Sequence, residues 1–273
     1  MQSRSGRRYP IALLTDFGYR DHYVGAMKGV IATIAPDATV IDISHGIPPQ
    51  AVVAGAIALR ESWRYFPRRT IFLAVVDPGV GTARRAIAIQ TAAGCRLIGP
   101  DNGLLFPAAE AAGIVRIVEL TAQRYRLPNL SATFHGRDLF APAAAHLWNG
   151  TRIGALGQAL ERIEPLDIGH PQTARNELRG AVIYIDGYGN LITNIDQAGF
   201  RRFAARFSGR GLSVKIAPGA SLPICRTYGE VAKGAPLATF GSFELLEVAV
   251  RDGSAAQRYA AQPGMPVKVH VCK

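Results

Sequence analysis

Cysteine is scarce in this chain of 273 residues: Cys95, Cys225 and Cys272 are the only three, an odd number with no Cys-x-x-Cys spacing. That pattern supports neither a disulfide framework nor a zinc ribbon, and it fits a reducing cytoplasm. Long apolar runs are missing as well. The basic opening "MQSRSGRRYP" leads into "IALLT", which Asp16 interrupts, leaving a run too short for a signal-peptide core or a membrane span. A soluble protein without a membrane partner is therefore expected. Acidic side chains are also in deficit, 20 Asp and Glu against 31 Lys and Arg, for a net charge of +11. Such a surplus raises nucleic acid as a partner, because clustered cations neutralise phosphates and release counterions. Here the surplus is spread, +6 over residues 1–165 (18 basic, 12 acidic) and +5 over residues 166–273 (13 basic, 8 acidic). The only tight groups are Arg7-Arg8, Arg68-Arg69, Arg84-Arg85 and Arg201-Arg202. Scattered cations of this kind form a solvated surface, and no nucleic-acid partner is expected.

What is present begins with Asp16-Phe17-Gly18, a tripeptide that holds magnesium in protein kinases. The kinase order is reversed here: no glycine-rich loop precedes Asp16, and the nearest approach to a catalytic loop, "FHGRDLF" at 134–140, follows far downstream. Hydropathy gives the aspartate a different setting. "YPIALLTDFG" reads as a buried strand ending in a turn, and "HYVGAMKGVIATIAP" as a helix stopped by Pro36. "TVIDISHGI" is a second strand, residues 48–66 a long helix between prolines, and "TIFLAVVDPGVG" a third, almost wholly apolar strand. Two more strands, "AIAIQTA" and "IVRIVEL", flank a turn and a short helix, and "DLFAPAAAHLWNG" closes the unit as a helix. Alternating strands and helices predict an α/β domain over residues 1–165, its mostly parallel sheet flanked by helices.

Periodicity is lost in "EPLDIGHPQTARNEL", so residues 166–178 are read as a linker. Beyond it come short alternating segments, "GAVIYID", "NLITNI", "LSVKIA", "PLATF", "LLEVAV" and "MPVKVHV". They predict a smaller antiparallel, barrel-like β domain over residues 179–273.

In an open α/β sheet, ligands sit beyond the carboxyl ends of the strands. The first three strands end in Asp16-Phe17-Gly18, Asp42-Ile43-Ser44-His45-Gly46 and Asp77-Pro78-Gly79-Val80-Gly81, and a fourth polar cluster runs from Thr133 to Asp138. Asp42 and Asp138 suit helix caps or Asx-turns. His45 and His146 suit packing or surface positions, and Trp63 and Trp148 suit the core. Glycines after Asp16 and Asp77 permit close backbone approach to a ligand. A two-metal site could draw on Asp16, Asp77 and His135, but no His-x-His, His-Glu-x-x-His or calcium-loop pattern accompanies them, so no metal is expected. No Gly-x-Ser-x-Gly supports a serine hydrolase.

Six segments in register, "LLTDFGYRDHYVGAMKG", "VIDISHGI", "VVDPGVGTARRAIAI", "IGPDNGLL", "TFHGRDLFAPAAAHL" and "YIDGYGNLITNI", resemble the S-adenosyl-L-methionine (SAM) hydroxide adenosyltransferases, relatives of the fluorinase and chlorinase. The resemblance runs from about Ile11 to the C-terminus. It implies hydrolysis of SAM by attack of water or hydroxide at C5′ of the ribose, giving adenosine and L-methionine, with no cofactor. It further implies a homotrimer whose substrate lies at subunit contacts. The family's Asp-Arg-His triad falls on Asp77, Arg84 and His135, with Arg85 adjacent as a contender for the arginine. The ribose-gripping aspartate falls on Asp16, the methionine-ammonium group on Asp186, an adenosine contact on Asn190, and a methionine-carboxylate contact on Ser242. Gln50 stands where the fluorinase has its stacking tryptophan, and Asp77 and Val80 replace its tyrosine and threonine, departures that favour water over halide. In this reading Arg84 stabilises hydroxide, His135 accepts or relays the proton and Asp77 orients the pair. The same pocket would serve a SAM- or nucleoside-binding regulator without turnover, the alternative from another class.

Overall fold

The computed structural model describes residues 9–207, 209–216 and 221–272. The Arg7-Arg8 pair lies outside them. The chain divides into two compact units, the change falling between Asp167 and Ile168. In the first unit the order is β1 (Ile11–Thr15), α1 (Tyr23–Ile34), β2 (Val40–Ser44), α2 (Val52–Ser62) and β3 (Ile71–Val75). Then follow β4 (Ala86–Thr91), β5 (Arg96–Pro100), α3 (Phe106–Ala112), β6 (Ile114–Glu119), α4 (Ala141–Trp148) and β7 (Gln158–Leu160). Across the sheet the strands lie β2-β1-β3-β5-β4-β6-β7. β2, β1, β3 and β5 are parallel, β4 opposes them, β6 returns to their direction and β7 opposes it.

Both faces of β1 and β3 are buried, as parallel strands between helical layers require. Helix α1 buries Val24, Met27 and Ile31, and turns Met27 and Ile31, four residues apart, onto the face carrying Ile11, Leu13, Ile71 and Leu73, where α4 also packs. Helix α2 packs on α3 and β1 instead. Its Gly55 lies where a Cβ would come within 2.9 Å of Leu104 and 3.0 Å of Val76, so the absent side chain sets how close the helix comes. The chain leaves β1 for β2 on one side and returns to β3 on the other. That reversal opens a crevice at the carboxyl ends of β1 and β3, where Asp16 and Asp77 stand.

The expected helix over 48–66 is shorter in the structure. Pro48 to Ala51 form a turn closed by Ala51 N–H donating to the Pro48 carbonyl at 3.0 Å, with Gln50 at φ 64°, so helix begins only at Val52. Strand β5, unanticipated in sequence, lies between β3 and β4. The closing helix opens with a wide π turn, Gly136–Phe140. Pro142 has no N–H to return to the carbonyl of Asp138, and that carbonyl accepts instead from Leu127 N–H at 2.8 Å.

The second unit contains β8 (Gln172–Thr173), β9 (Glu177–Ile185), β10 (Leu191–Asp196), α5 (Gln197–Ala204), β11 (Leu212–Ile216), β12 (Ser221–Pro223), β13 (Pro236–Phe240), β14 (Leu245–Val250), α6 (Ala255–Tyr259) and β15 (Pro266–Val271). Its strands are antiparallel in the order β12-β11-β15-β9-β10-β14-β13, and β8 pairs with β9. Strand β9 bonds β15 along its first half and β10 along its second. After β12, Ile224 bridges Ala238 of β13, and the sheet nearly closes on itself around Leu178, Val182, Leu191, Val214, Leu246 and Val248. Two helices not anticipated in this half, α5 and α6, are capped by Asp196 and Ser254, whose side chains accept from Gly199 and Gln257 backbone N–H.

Phe140 is fully buried where the π turn meets α4, and its ring lies 5.4 Å from the guanidinium carbon of Arg84. Phe140→Ala should cost about 3–5 kcal/mol of stability in chemical denaturation. A cost under about 1 kcal/mol would mean that the core collapses around the gap and that Arg84 is not held by it.

Candidate active site

The crevice at the ends of β1 and β3 is a cleft of about 370 Å³. Asp16, Gln50, Asp77, Val80 and His135 line it, with Phe17, Tyr23 and Phe134 as an apolar wall. The three rings meet edge to face or tilted, with centroids 5.2 to 6.0 Å apart, arrangements that aromatic quadrupoles prefer. Sequence reasoning did not single these rings out. The available signal was adjacency: Phe17 follows Asp16 and Phe134 precedes His135.

Arg84 stands behind this lining and joins its two polar members. Its Nε donates to both Asp77 oxygens at 3.0 Å, and its Nη2 donates to Asp77 Oδ2 and to His135 Nδ1 at 2.7 Å. Asp77 and Arg84 side chains are 5% and 10% exposed, so the pair is shielded from solvent, and removing one partner of such a pair costs about 3–5 kcal/mol. Arg85 points elsewhere: it donates through Nε to Asp101 Oδ2 at 2.8 Å, while Asp101 Oδ1 accepts Glu164 N–H. Of the two adjacent arginines, Arg84 is the one that meets Asp77 and His135.

One close approach holds the two strand-end loops together. Gly81 has φ 78°, and a Cβ there would meet the Ala132 carbonyl oxygen at 2.6 Å, so only glycine lets the Asp77–Arg84 loop touch the segment that carries His135.

A guanidinium has no lone pair to offer, so His135 Nδ1 must be the acceptor. The neutral ring therefore carries its hydrogen on Nε2. Burial lowers the His135 pKa below the ordinary imidazole value, and the Arg84 cation pushes it further down. Asp16 shifts the other way: burial raises its pKa, and the negative charge of Asp77 adds to the rise. Asp16 Oδ2 accepts the backbone N–H of Gln50 at 2.8 Å, a bond made by the left-handed turn before α2. Gln50 holds the aspartate through its backbone, a role the sequence comparison of side chains could not suggest.

Asp42 and Asp138 serve neither as the expected helix caps nor in the cleft. Asp42 pairs with Lys28 at 2.7 Å and accepts from Tyr19. Asp138, fully buried inside the π turn, pairs with Arg137 and accepts Ser131 N–H at 2.8 Å. His45 is buried and bonds Thr15 Oγ1 at 2.7 Å, tying the end of β2 to the end of β1 beside Asp16. Trp148 is buried and Trp63 half-buried, Cys95 is buried, and Cys225 and Cys272 are free thiols.

In the second unit, Asp186 and Asn190 meet each other across the turn between β9 and β10. Asp186 Oδ1 accepts Tyr188 and Asn190 backbone N–H, and Oδ2 accepts from the Asn190 side chain, each at 2.9 Å. A separate cleft of about 570 Å³ in this unit includes Tyr188, Asn190, Tyr228 and Asp252. Beside it, Tyr228 donates to buried Glu247; burial first, then this bond, drives the Tyr228 pKa beyond the ordinary phenol range, and burial raises that of Glu247. Ser242 is exposed just after β13. Among the described residues, no three His, Cys, Asp or Glu side chains converge as a metal-ligand set, and no helix is long and apolar enough to cross a membrane.

Residues 11–157 match the family described as SAM hydroxide adenosyltransferase N-terminal domain, and residues 180–268 its C-terminal domain. A Thermus thermophilus protein named (R)-S-adenosyl-L-methionine hydrolase is 41% identical, over 95% of this chain and 99% of its own. A fluorinase from Nocardia brasiliensis is 28% identical over 99% of this chain and all of its own (100%). A crystal structure of a conserved Thermotoga maritima protein superposes with a TM-score of 0.86 at 35% identity, covering 95% of this chain and 99% of that one.

The Arg84 contact gives an NMR test. Arg84→Gln should raise the His135 pKa toward 6.5 by removing the cation, whereas Arg85→Gln should leave it unmoved. Equal shifts in both variants would contradict the assignment of Arg84.

Proposed function

The chain belongs to the SAM hydroxide adenosyltransferase family, and we propose on that premise that it hydrolyses SAM at C5′ of the ribose to adenosine and L-methionine. The observation that carries the reading is the joined set Asp77, Arg84 and His135 at the edge of the cleft that also holds Asp16. A cleft that only bound SAM would have no use for a shielded cation bonded to an imidazole.

The chemistry asks little of an acid. The sulfonium carries the positive charge, so methionine departs as a neutral thioether. The scarce reactant is hydroxide, because free water has a pKa near 15.7. His135 was read from sequence as a proton acceptor or relay. The tautomer set by Arg84 gives it another part: Nδ1 is engaged and Nε2 bears hydrogen, so the ring donates to the nucleophile's oxygen. Asp77 accepts a hydrogen from the same nucleophile and turns its lone pair toward C5′. The Arg84 charge, one bond behind both, favours the anionic form, as an oxyanion hole does. The site thus selects hydroxide, and the proton goes to bulk solvent.

Asp16 presents the remaining lone pairs of its carboxylate to the vicinal ribose hydroxyls, since a carboxylate accepts at both oxygens. Phe17, Tyr23 and Phe134 keep bulk water off the reacting carbon. From the second unit, Asp186 meets the methionine ammonium, Asn190 the adenosine part and Ser242 the methionine carboxylate. Assembly as a homotrimer in the cytoplasm, with SAM at contacts between subunits, completes the reading. No metal or cofactor takes part.

Purified protein incubated with SAM in EDTA and labelled water should give adenosine and methionine in equal amounts, with the heavy oxygen in adenosine. His135→Ala and Asp77→Asn should each lose most turnover, by about a hundredfold or more if the positioned hydroxide is lost. Asp16→Ala should mainly weaken SAM binding. SAM that binds tightly and stays intact would transfer the protein to the regulator class; loss of activity in EDTA would contradict the metal-free reaction.

A further inference from the structure

The opposite edge of the first unit's sheet carries a second cavity, of about 450 Å³, at the amino ends of the parallel strands. Asp16 and Asp77 follow β1 and β3, whereas Tyr9 and Arg69 precede them. Sheet registry builds the floor. Gln90 of β4 is paired with Arg96 of β5 on one side and Arg116 of β6 on the other. Directly opposed residues on neighbouring strands share a face, so two guanidinium groups flank one amide. Arg152, from the turn after α4, and Arg69 enter from the sides, and all four arginines line the cavity.

None of the four is in an ion pair among the described residues. Arg69 lies over the Tyr9 ring at 5.6 Å and is held at φ 73°, a left-handed conformation that costs a non-glycine residue. Nη1 of Arg96 is buried and has no hydrogen-bond partner among the described residues. Leaving a buried charged donor unpaired and gathering like charges around it both oppose folding. Elsewhere in this unit the chain supplies acids to partly buried arginines, Asp77 to Arg84 and Asp101 to Arg85. Among the described residues it supplies none to these four.

We propose that this cavity binds a small anion bearing several phosphate charges. Planar guanidinium forks match the oxygens of phosphate, each bonding two at once, and a chain of phosphates brings more charge to four cations than a single carboxylate does. A single orthophosphate offers too few oxygens for four forks, whereas a diphosphate or triphosphate fills them, and the cavity is within the size range of small-ligand sites. The Tyr9 face is already covered by Arg69, so the recognised part is the phosphate chain rather than a stacked base. The spread charge of the sequence hid this site: its cations come from positions 69, 96, 116 and 152 and meet only in the fold.

The test is calorimetric titration of the full chain with inorganic tripolyphosphate at about 0.15 M salt, where weak surface attraction is screened. One saturable site per chain is expected, tighter than for orthophosphate. Arg96→Gln should weaken it by about tenfold or more, as loss of a charge-assisted contact does. Exposed Arg116→Gln and Arg152→Gln serve the same purpose should Arg96→Gln fail to fold, and SAM hydrolysis should stay at the wild-type rate in all three. No saturable binding, or binding indifferent to these substitutions, would overturn the proposal. Tighter binding of a single-stranded RNA than of tripolyphosphate, lost in the same variants, would overturn it in favour of a nucleic-acid surface.

Discussion

The bond from Arg84 to His135 is the constraint on which the candidate active site depends. A guanidinium is charged and donating at every accessible pH. Once it is fixed on Asp77, the imidazole beside it has one tautomer and one protonation state compatible with its place. Burial works in the same direction, since a second cation beside Arg84 would be both desolvated and repelled. The result is a neutral ring whose remaining hydrogen is available to an oxygen. Asp16, a short way off in the same cleft, is an acceptor with its own oxygen anchored on Gln50 N–H. Donors and acceptors are thus assigned before any substrate arrives, which is the economy of a preorganised site.

The fold delivers these groups by a general feature and two local ones. The general feature is the reversal of strand order at β1 and β3, which opens a crevice at their carboxyl ends. Locally, Gly81 lets one loop touch the carbonyl of Ala132, and the π turn before α4 presents His135 at its start. Wide helical turns cost regular bonding and recur where a side chain must be aimed. Here the lost bond is compensated by Leu127, so the irregular turn is a settled part of the structure.

Much of this was legible in the sequence because each signal was local. Apolar runs closing on Asp16, Asp42 and Asp77 mark parallel strands, and alternation after residue 178 marks the barrel-like half, down to six of its strands. The misses have a common cause, dependence on partners distant in sequence. β5 begins with Arg96 and ends in Gly99-Pro100, so its strand character appears only from pairing with β3 and β4. The helix expected from Pro48 begins later because Gln50 takes a left-handed turn that no glycine announces. Asp138 sits where a cap would, yet its carboxylate answers Arg137 and the Ser131 loop. Arg84 and Arg85 are indistinguishable as neighbours and differ only in which aspartate faces them. The arginine-lined cavity at the far edge of the sheet is the extreme case, since nothing in the spacing of its members relates them.

The central claim is that the site draws hydroxide to a donor-lined position and that His135 does not store the proton. The pH dependence of the chemical step, measured as single-turnover SAM hydrolysis after subtraction of the uncatalysed reaction, tests it most directly. If hydroxide is selected, the rate keeps rising with pH through neutrality and beyond, following the hydroxide population. If His135 is instead a general base, the rate levels off above its own pKa, which burial and Arg84 place below 6.5. A plateau from there upward would contradict the account.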